Sequence, residues 1–344
     1  MHKVIFSTVA FLFLIIVSGR SNAQKGTTAI EDSGHIEYMT NSVNLKLAQN
    51  TDMAELSVNT NIDVNLSPNA ASATRLYFNY RFLSFSVGFI PKFLPGNDDD
   101  DIRGSTKGSG LGLSLNFNKW LNSFSYSKTK GYYLENTADF NSSWKEGDPY
   151  IQFPELQYTN IRGITAYKFN PNYSINAVAT QTERQLKSAG SFIPQLVYRY
   201  YIIDNKVTSP GGNSQKTNNW EFVLGAGYYH TFVLKKSFYI SLGAAPGGGV
   251  VFTNLTTRTP SGNIKTNENT PVFRLDGTAG LGYNGEKFFA GLYSHGRYVT
   301  HKEGHNAAVE NDSQLALQAF VGIRFGAPKA IKKEVDALGR IIKK

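Results

Sequence analysis

The sequence predicts an all-β fold: a transmembrane antiparallel β-barrel of about 12 strands, within a range of roughly 10–14, with short periplasmic turns and long outer loops. Three observations predict it. Segments of strand length alternate apolar and polar residues, Tyr and Phe recur near their ends, and short turns alternate with long polar loops. Only every second residue of a barrel strand faces lipid, so a mean hydropathy of −0.29 is compatible with this fold.

Residues 1–23 have the three parts of an export signal. Lys3 supplies the positive start, residues 4–17 are an apolar run, and Ser21 and Ala23 are small residues at the positions that signal peptidase reads. The apolar run is shorter than the roughly 20 residues that a membrane helix needs. We expect cleavage after Ala23 and delivery of the mature chain to the outer membrane of a Gram-negative cell.

Three regions are expected after the signal peptide: an N-terminal periplasmic segment (24–40), the barrel (41–326) and a basic amphipathic tail (327–344). In the tail, apolar residues recur at spacings of three and four: Ile331, Val335, Leu338 and Ile342. That spacing is typical of an amphipathic helix, which would contact the inner leaflet or a periplasmic partner. Simple disorder is the alternative, because short isolated helices are marginally stable.

The first half of the barrel shows the period of two clearly. Residues 56–66 alternate over a length that spans a bilayer, with Asp63 on the polar face. Residues 75–82 and 83–89 alternate in opposite phases, which predicts a tight turn near residues 81–84. Residues 41–49 fit either a further strand or part of the N-terminal segment.

The second half is predicted as hairpins. The expected strand pairs are 158–169 with 173–181, 220–232 with 237–246, and 271–283 with 288–298. The expected outer loops are 91–109, 130–157, 254–269 and 299–312. In the last strand, Leu317, Val321 and Ile323 should face lipid, while Gln318 and Arg324 face inward. The alternation of short turns with long loops breaks down between residues 182 and 220, because the connections on both sides look long. The candidate strands therefore do not add up to a definite even number.

Three segments carry a family resemblance: residues 80–86 (YRFLSFS), 130–137 (KGYYLENT) and 180–194 (TQTERQLKSAGSFIP). They resemble the DUF4421 family of uncharacterised outer-membrane-type proteins, over about residues 36–330. The third segment is the most specific, because fifteen ordered residues rarely match by accident. The resemblance implies the location and the fold, and it implies no activity.

Composition excludes several classes. The chain has no cysteine, so lipid anchoring at an N-terminal cysteine, disulfides and thiolate metal sites are excluded. Of the nine net positive charges, two lie in the export signal and four in the tail, which leaves three for the rest. A nucleic-acid binder needs a basic stripe, so no nucleic-acid partner is expected. No cofactor is expected either.

Several short motifs are candidates for chemical sites. Residues 98–101 are four aspartates in a predicted loop, where a cation site is an alternative to simple solvation. Residues 301–305 (HKEGH) depart from the zinc-helix pattern because the Glu is displaced and Gly304 breaks the helix. Ser294 and His295 are neighbours on a predicted strand and point to opposite faces, so they cannot form a nucleophile–base pair. A serine on an adjacent strand could still reach His295.

Charged residues in loops and lumen are the functional candidates: Glu135, Glu183, Arg184 and Lys187 in the loops, and Arg81, Arg274, Asp276 and Arg297 in the lumen. We expect the 182–194 loop to fold against or into the barrel mouth, with Glu183 and Arg184 paired to the 130–157 loop or the wall. The inward set contains more arginine than aspartate and favours anions: Asp63, Arg75, Arg81, Arg199, Arg274, Asp276, Arg297 and Arg324.

Three functions fit these observations. A pore or small-solute transporter for an anionic solute is favoured. The alternatives are a structural or assembly barrel without flux and a membrane-embedded lipid-modifying hydrolase. The expected partners are outer-membrane lipid, a small anionic solute and a periplasmic contact through the tail.

Overall fold

The computed structural model describes residues 34–51, 55–58, 63–206, 213–301, 308–310 and 313–342. The predicted signal peptide with its cleavage site, and most of residues 301–305, lie outside this part of the chain. None of the helices in the described residues is long and apolar enough to cross a membrane.

The described residues are mostly strands. In chain order these are β1 (Ile36–Tyr38), β2 (Ser42–Asn50), β3 (Leu56–Val58), β4 (Val64–Ser67), β5 (Ala73–Tyr80), β6 (Leu83–Phe89), β7 (Lys107–Asn116), β8 (Trp120–Leu134), β9 (Gln152–Tyr167), β10 (Glu183–Gln185), β11 (Ala189–Asn205), β12 (Ser214–Leu234), β13 (Phe238–Thr259), β14 (Gly262–Asn284), β15 (Phe288–His301), β16 (Ala308–Glu310) and β17 (Ser313–Gly326). The helices are α1 (Asp100–Arg103), α2 (Thr137–Phe140), α3 (Asn176–Ala179) and α4 (Lys329–Ile342).

Twelve of these strands form a closed antiparallel barrel, as predicted. Around the wall the order is β2, β5, β6, β7, β8, β9, β11, β12, β13, β14, β15 and β17. The ring closes where β17 pairs with β2, as in Phe325 opposite Val43. The even number brings the start of β2 and the end of β17 to the same end of the barrel. Residues 41–49, left open by the sequence, therefore contain the strand that completes the wall.

The last wall strand has the predicted facing. Leu317, Val321 and Ile323 are each about half exposed on the outer surface, while Phe320 and Arg324 are buried inside. Strand β17 thus presents an apolar face to lipid and a mixed face to the lumen. The same alternation on the other wall strands decides which of their charged residues point inward.

We expect Val321→Arg to destabilise the barrel by roughly 2–4 kcal/mol, the cost of an arginine near the bilayer midplane. Val321 lies near mid-height of β17, on the lipid face. The matched control is Gln318→Arg on the lumen face, which should cost clearly less. Urea unfolding followed by heat-modifiable gel mobility measures both variants, and an equal or reversed order would contradict the facing.

The two ends of the barrel differ. At one end the connections between wall strands are mostly two or three residues long, at 81–82, 117–119, 235–237 and 285–287, and we call this the short-turn end. The exception there is the 168–188 segment between β9 and β11. The opposite, long-loop end carries the connections 51–72, 90–106 and 135–151.

Several predicted elements differ from the structure. The predicted 130–157 loop is shortened to residues 135–151, because β8 and β9 stay paired as far as Tyr133 and Gln152. Residues 173–181 do not form a wall strand, because the chain turns into the lumen after β9 and resumes the wall only at β11. Residues 254–269 are not a loop: β13 and β14 stay paired to the Thr259–Gly262 turn, a polar, β-branched extension that composition alone cannot distinguish from a loop. Residues 56–66 do not form one wall strand.

The 56–66 segment instead contributes β3 and β4, which pair with each other. Strand β4 also pairs with β8 at the long-loop end of the barrel. Leu56 and Leu66 are buried in a cluster with Tyr132 and Tyr158. Asp63 is exposed and does not face the lumen. The error has a physical cause, since a strand packed against an apolar cluster shows the same period of two as a strand packed against lipid.

The C-terminal tail forms helix α4 against the short-turn end. Val335 packs on Val43 and Tyr80. Arg81, predicted to face the lumen, lies in the β5–β6 turn, where it donates to Thr40 O (3.1 Å) and pairs with Asp336 of α4. Arg81 therefore fixes the helix to the barrel end and is not part of the lumen.

Candidate functional site

The barrel lumen is the candidate site, and its wall is asymmetric. The inward face of β6, β7 and β8 carries only small residues along most of its length: Ser84, Ser86, Gly88, Gly110, Gly112, Ser114, Ser123, Ser125 and Ser127. The Arg75 guanidinium lies over Gly88 and Gly110 and donates to Ser86 Oγ (3.3 Å). The opposite wall, from β9 to β15, carries the long charged and aromatic side chains.

The 168–188 segment, which we call the plug, fills the lumen at the short-turn end. It contains α3 and β10, and β10 pairs with β1, so that the N-terminal strand also joins the plug. Tyr173, Ser174 and Gln181 are completely buried. Gln181 has a φ of +53°, in the left-handed region that residues other than glycine rarely adopt. Burial raises the pKa of Tyr173 well above its ordinary value.

Polar side chains from four wall strands hold the plug. Asn44 and Lys46 on β2 donate to Thr180 O (3.0 Å) and Ala179 O (2.7 Å). The contacts from the other strands are Asn116 Nδ2 to Asn176 Oδ1 (2.8 Å) on β7, Asn284 Nδ2 to Ala177 O (2.9 Å) on β14, and Arg324 Nε to Gln181 O (3.2 Å) on β17. Because these strands are spread around the wall, the plug spans the lumen at this end.

Arg184 and Glu183 belong to the plug. Arg184 pairs with Glu37 (2.7 Å) and donates to Asn284 O (2.9 Å) and Ser237 Oγ (3.1 Å). Glu183 accepts from Ser174 Oγ (2.5 Å) and Asn176 Nδ2 (3.1 Å).

The loop folds into the barrel and Arg184 binds the wall, as expected, but the expected contact with the 130–157 loop is wrong. The loop lies at the short-turn end and does not meet the 130–157 loop, and its partners come from the N-terminal segment, the wall and the plug itself. The reason is strand direction: β9 runs from the long-loop end to the short-turn end, so the residues after it emerge at the short-turn end. Residues 189–194 already belong to β11, and Lys187 is exposed at this end.

A belt of charged side chains crosses the lumen on the long-loop side of the plug. Glu221 joins two arginines, since Oε2 lies 2.5 Å from Arg199 Nη2 and Oε1 lies 3.3 Å from Arg274 Nη1. Arg274, which is 1% exposed, also binds Asp276 through Nε and Nη2, each at 2.7 Å. Arg297 stands directly opposite Asp276 on β15. The predicted Arg274, Asp276 and Arg297 are thus brought together.

Arg162 completes the belt from β9. It stands directly opposite Arg199 on one side and Ser125 on the other. In the described residues its Nε has no hydrogen-bond partner. Its charged neighbours are Asp276 and the three other arginines of the belt. The belt therefore contains four guanidinium groups and two carboxylates.

The Ser294–His295 pair has the geometry expected from sequence. Ser294 faces Leu317 on the outer surface, whereas His295 faces Thr278 and Ala316 across the lumen side of β14 and β17. No serine stands directly opposite His295 in the strand pairings that the structure describes. His295 Nε2 lies 3.5 Å from Asp276 Oδ1.

Glu135 lies apart from these residues, at the long-loop end. It accepts from Ser67 Oγ (3.1 Å) and borders a cavity of about 250 Å³. Other residues lining this cavity are Glu55, Asn69, Arg103 and Tyr133.

Two of the four aspartates of residues 98–101 form ion pairs with cationic side chains. Asp99 pairs with Arg103 (2.7 Å) and Asp100 with Lys92 (2.6 Å). Desolvation raises the pKa of Asp100, but hydrogen bonds from Lys92, Ser105 and Asn69 and the Lys92 charge outweigh it and hold the pKa below its ordinary value. Among the described residues, no group of three or more His, Asp or Glu side chains is arranged to hold a metal ion.

Sequence reasoning missed Arg162, Glu221 and Lys46. Glu221 lies between the exposed Trp220 and Phe222, and the alternation of β12 therefore marks it as inward-facing. The same test applied to β9 selects Arg162 beside the exposed Ile161. No comparable signal exists for the plug, whose burial depends on contacts with distant strands.

Comparisons with known proteins bear on family and fold. A family model described as "Domain of unknown function (DUF4421)" matches residues 31–325. No curated protein matches the chain.

Two outer-membrane barrels are among the solved structures whose backbone fold is similar to that of this chain. The outer membrane protease OmpT from Escherichia coli is 8% identical, with a TM-score of 0.35 and coverage of 84% of this chain and 98% of that one. The beta domain of the Bordetella autotransporter BrkA is 9% identical, with a TM-score of 0.37 and coverage of 83% and 100%. Structural similarities this weak give no information about activity.

Proposed function

This chain belongs to the DUF4421 family, which is described as a domain of unknown function, and we propose its role from the barrel itself. The protein is an outer-membrane barrel that carries no solute flux in its resting state. Its exposed apolar strand faces contact outer-membrane lipid, and helix α4 lies on the periplasmic side with the short turns.

The observation that carries this proposal is the plug. Its hydrogen bonds reach β2, β7, β14 and β17, so it is fixed across the lumen and not along one side. Many of the groups involved are buried, and a buried polar group that loses its partner costs about 1–3 kcal/mol. The closed arrangement is therefore favoured over an open pore, and the non-conducting barrel replaces the pore as the leading function.

Passage of a small anionic solute is the second candidate. It is favoured by the excess of arginine over carboxylate in the belt, which attracts anions wherever the lumen is hydrated. Such passage requires the plug to leave its position. A lipid-modifying hydrolase is not proposed, because His295 faces Thr278 and Ala316 and not a serine.

Two measurements on the full-length protein test the proposal. The mature chain is expected to sediment with outer membranes and to show heat-modifiable gel mobility. In planar bilayers the folded protein is expected to give no sustained conductance, while a general porin reconstituted in parallel conducts. Recovery of the chain in the soluble periplasm would overturn the location, and sustained wild-type conductance would overturn the closed state.

A further inference from the structure

The charged belt of the lumen, defined by Arg162, Arg199, Glu221, Arg274, Asp276 and Arg297, contains more arginines than carboxylates. Glu221 and Asp276 both bind arginines within the belt. Four guanidinium groups against two carboxylates leave an excess of two positive charges. Charge that is removed from water is costly unless it is paired, so this excess calls for an anion.

The excess is concentrated at Arg162. It stands directly opposite Arg199 on the neighbouring strand, and like charges in that relation destabilise a sheet. No carboxylate of the described residues lies within salt-bridge distance of it, and its Nε has no hydrogen-bond partner there. Arg199 by contrast is bound to Glu221. An arginine in this position has unused donors and a fork geometry that suits an oxyanion.

There is room for a ligand beside the belt. The side chain of His295, which contacts Asp276, is 36% exposed although it points into the lumen. On the other side of Arg162 the wall is formed by Ser125 and then Gly112, residues that take little space and supply a hydroxyl donor. The groups on both sides, the arginines of the belt and the Ser125 hydroxyl, are polar, and Arg75 adds a further guanidinium over Gly110.

We propose that the belt is a binding site for a small dianionic oxyanion, a dicarboxylate or a phosphate, held by Arg162 against Ser125 with Arg199 and Arg297 nearby. A negative ligand is favoured because arginines outnumber carboxylates in the belt. The ligand comes from solution, because the strand wall separates the belt from the surrounding lipid. The plug closes the short-turn end beneath the belt, so the ligand enters from the long-loop side. This inference does not depend on whether the barrel conducts.

Titration of the folded, full-length protein with inorganic phosphate at neutral pH tests the site, with sodium chloride at matched ionic strength as the reference. Calorimetry is expected to show saturable binding of about one phosphate per barrel. Arg162→Gln is expected to weaken it at least about tenfold, the factor that corresponds to 1.4 kcal/mol. Arg162→Lys keeps the positive charge but loses the planar pair of N–H donors of the guanidinium group. This variant should bind phosphate with intermediate affinity.

Arg258→Gln is the matched control, because it removes one arginine that is already paired with Asp204 and lies 33% exposed outside the belt. Its phosphate affinity should equal that of the wild type. The proposal is overturned if the wild type shows no saturable binding beyond chloride, if both Arg162 variants bind as tightly as the wild type, or if Arg258→Gln weakens binding as much as Arg162→Gln. Zero conductance of the wild type changes none of these outcomes.

Discussion

Replacing Arg324 with alanine is expected to open the short-turn end of the barrel to ion flow. Arg324 donates to Gln181 O in the plug and to Asn284 Oδ1 and Gly285 O in the wall. Hydrogen bonds to a charged group contribute about 1.5–3 kcal/mol each. A loss of roughly 3 kcal/mol raises the open fraction of the plug about a hundredfold, since 1.4 kcal/mol is a factor of ten.

Single-channel recording in planar bilayers measures this effect, and protease cleavage within the plug provides a second readout. Arg184→Ala should act in the same direction, because it leaves the largely buried Glu37 without its cation. Lys187→Ala is the matched control, since it removes an exposed cation from the plug segment. Arg324→Ala and Arg184→Ala proteins that keep heat-modifiable mobility and still do not conduct would contradict the role of these arginines as anchors.

The opened variants also test the second candidate function. Because the belt has an excess of positive charge, current through an opened barrel should be carried mainly by anions. Reversal potentials in a salt gradient decide this. Cation selectivity in the Arg324→Ala protein would exclude passage of an anionic solute as a role of this lumen.

Arg274→Met is expected to be the most destabilising substitution in the belt, at roughly 3–5 kcal/mol. Arg274 is 1% exposed and contacts both Glu221 and Asp276. Its removal leaves two buried carboxylates short of a partner, and the cost of buried unpaired charge exceeds the value of the lost contacts.

Urea unfolding of the folded barrel measures this cost. Arg258→Met serves as the control, because its partner Asp204 lies at the barrel rim and the pair is partly exposed, which limits the expected loss to about 1 kcal/mol. The double variant Arg274→Met, Asp276→Asn should recover part of the stability by removing one orphaned charge. Equal losses in Arg274→Met and Arg258→Met would show that the belt is hydrated enough to tolerate the charge.

The sequence alone determined the class of fold and much of the wall. Barrel strands can be recognised from the local sequence, because lipid on one side and the lumen on the other impose an apolar–polar period of two on each wall strand. This is why the facing of Val321 and Arg324 could be predicted. The count of 12 was expected only within a range of 10–14, because residues 56–66 and 173–181 alternate in the same way and are not wall strands. The lumenal residues Arg274, Asp276 and Arg297 were found from the same alternation.

Only the tertiary structure decided the positions of the plug and of the 56–66 segment. Leu66 alternates with polar neighbours as a lipid-facing residue would, yet it packs against Tyr132 inside the long-loop end. Arg184 lies in a polar stretch that reads as an outer loop, yet β9 delivers it to the other end, where Glu37 lies 147 positions away in the chain. A local period of two shows that one face of a strand is buried, but it does not show whether lipid or protein buries it. The covering groups come from distant strands, so the closure of the lumen becomes visible only when the barrel is assembled.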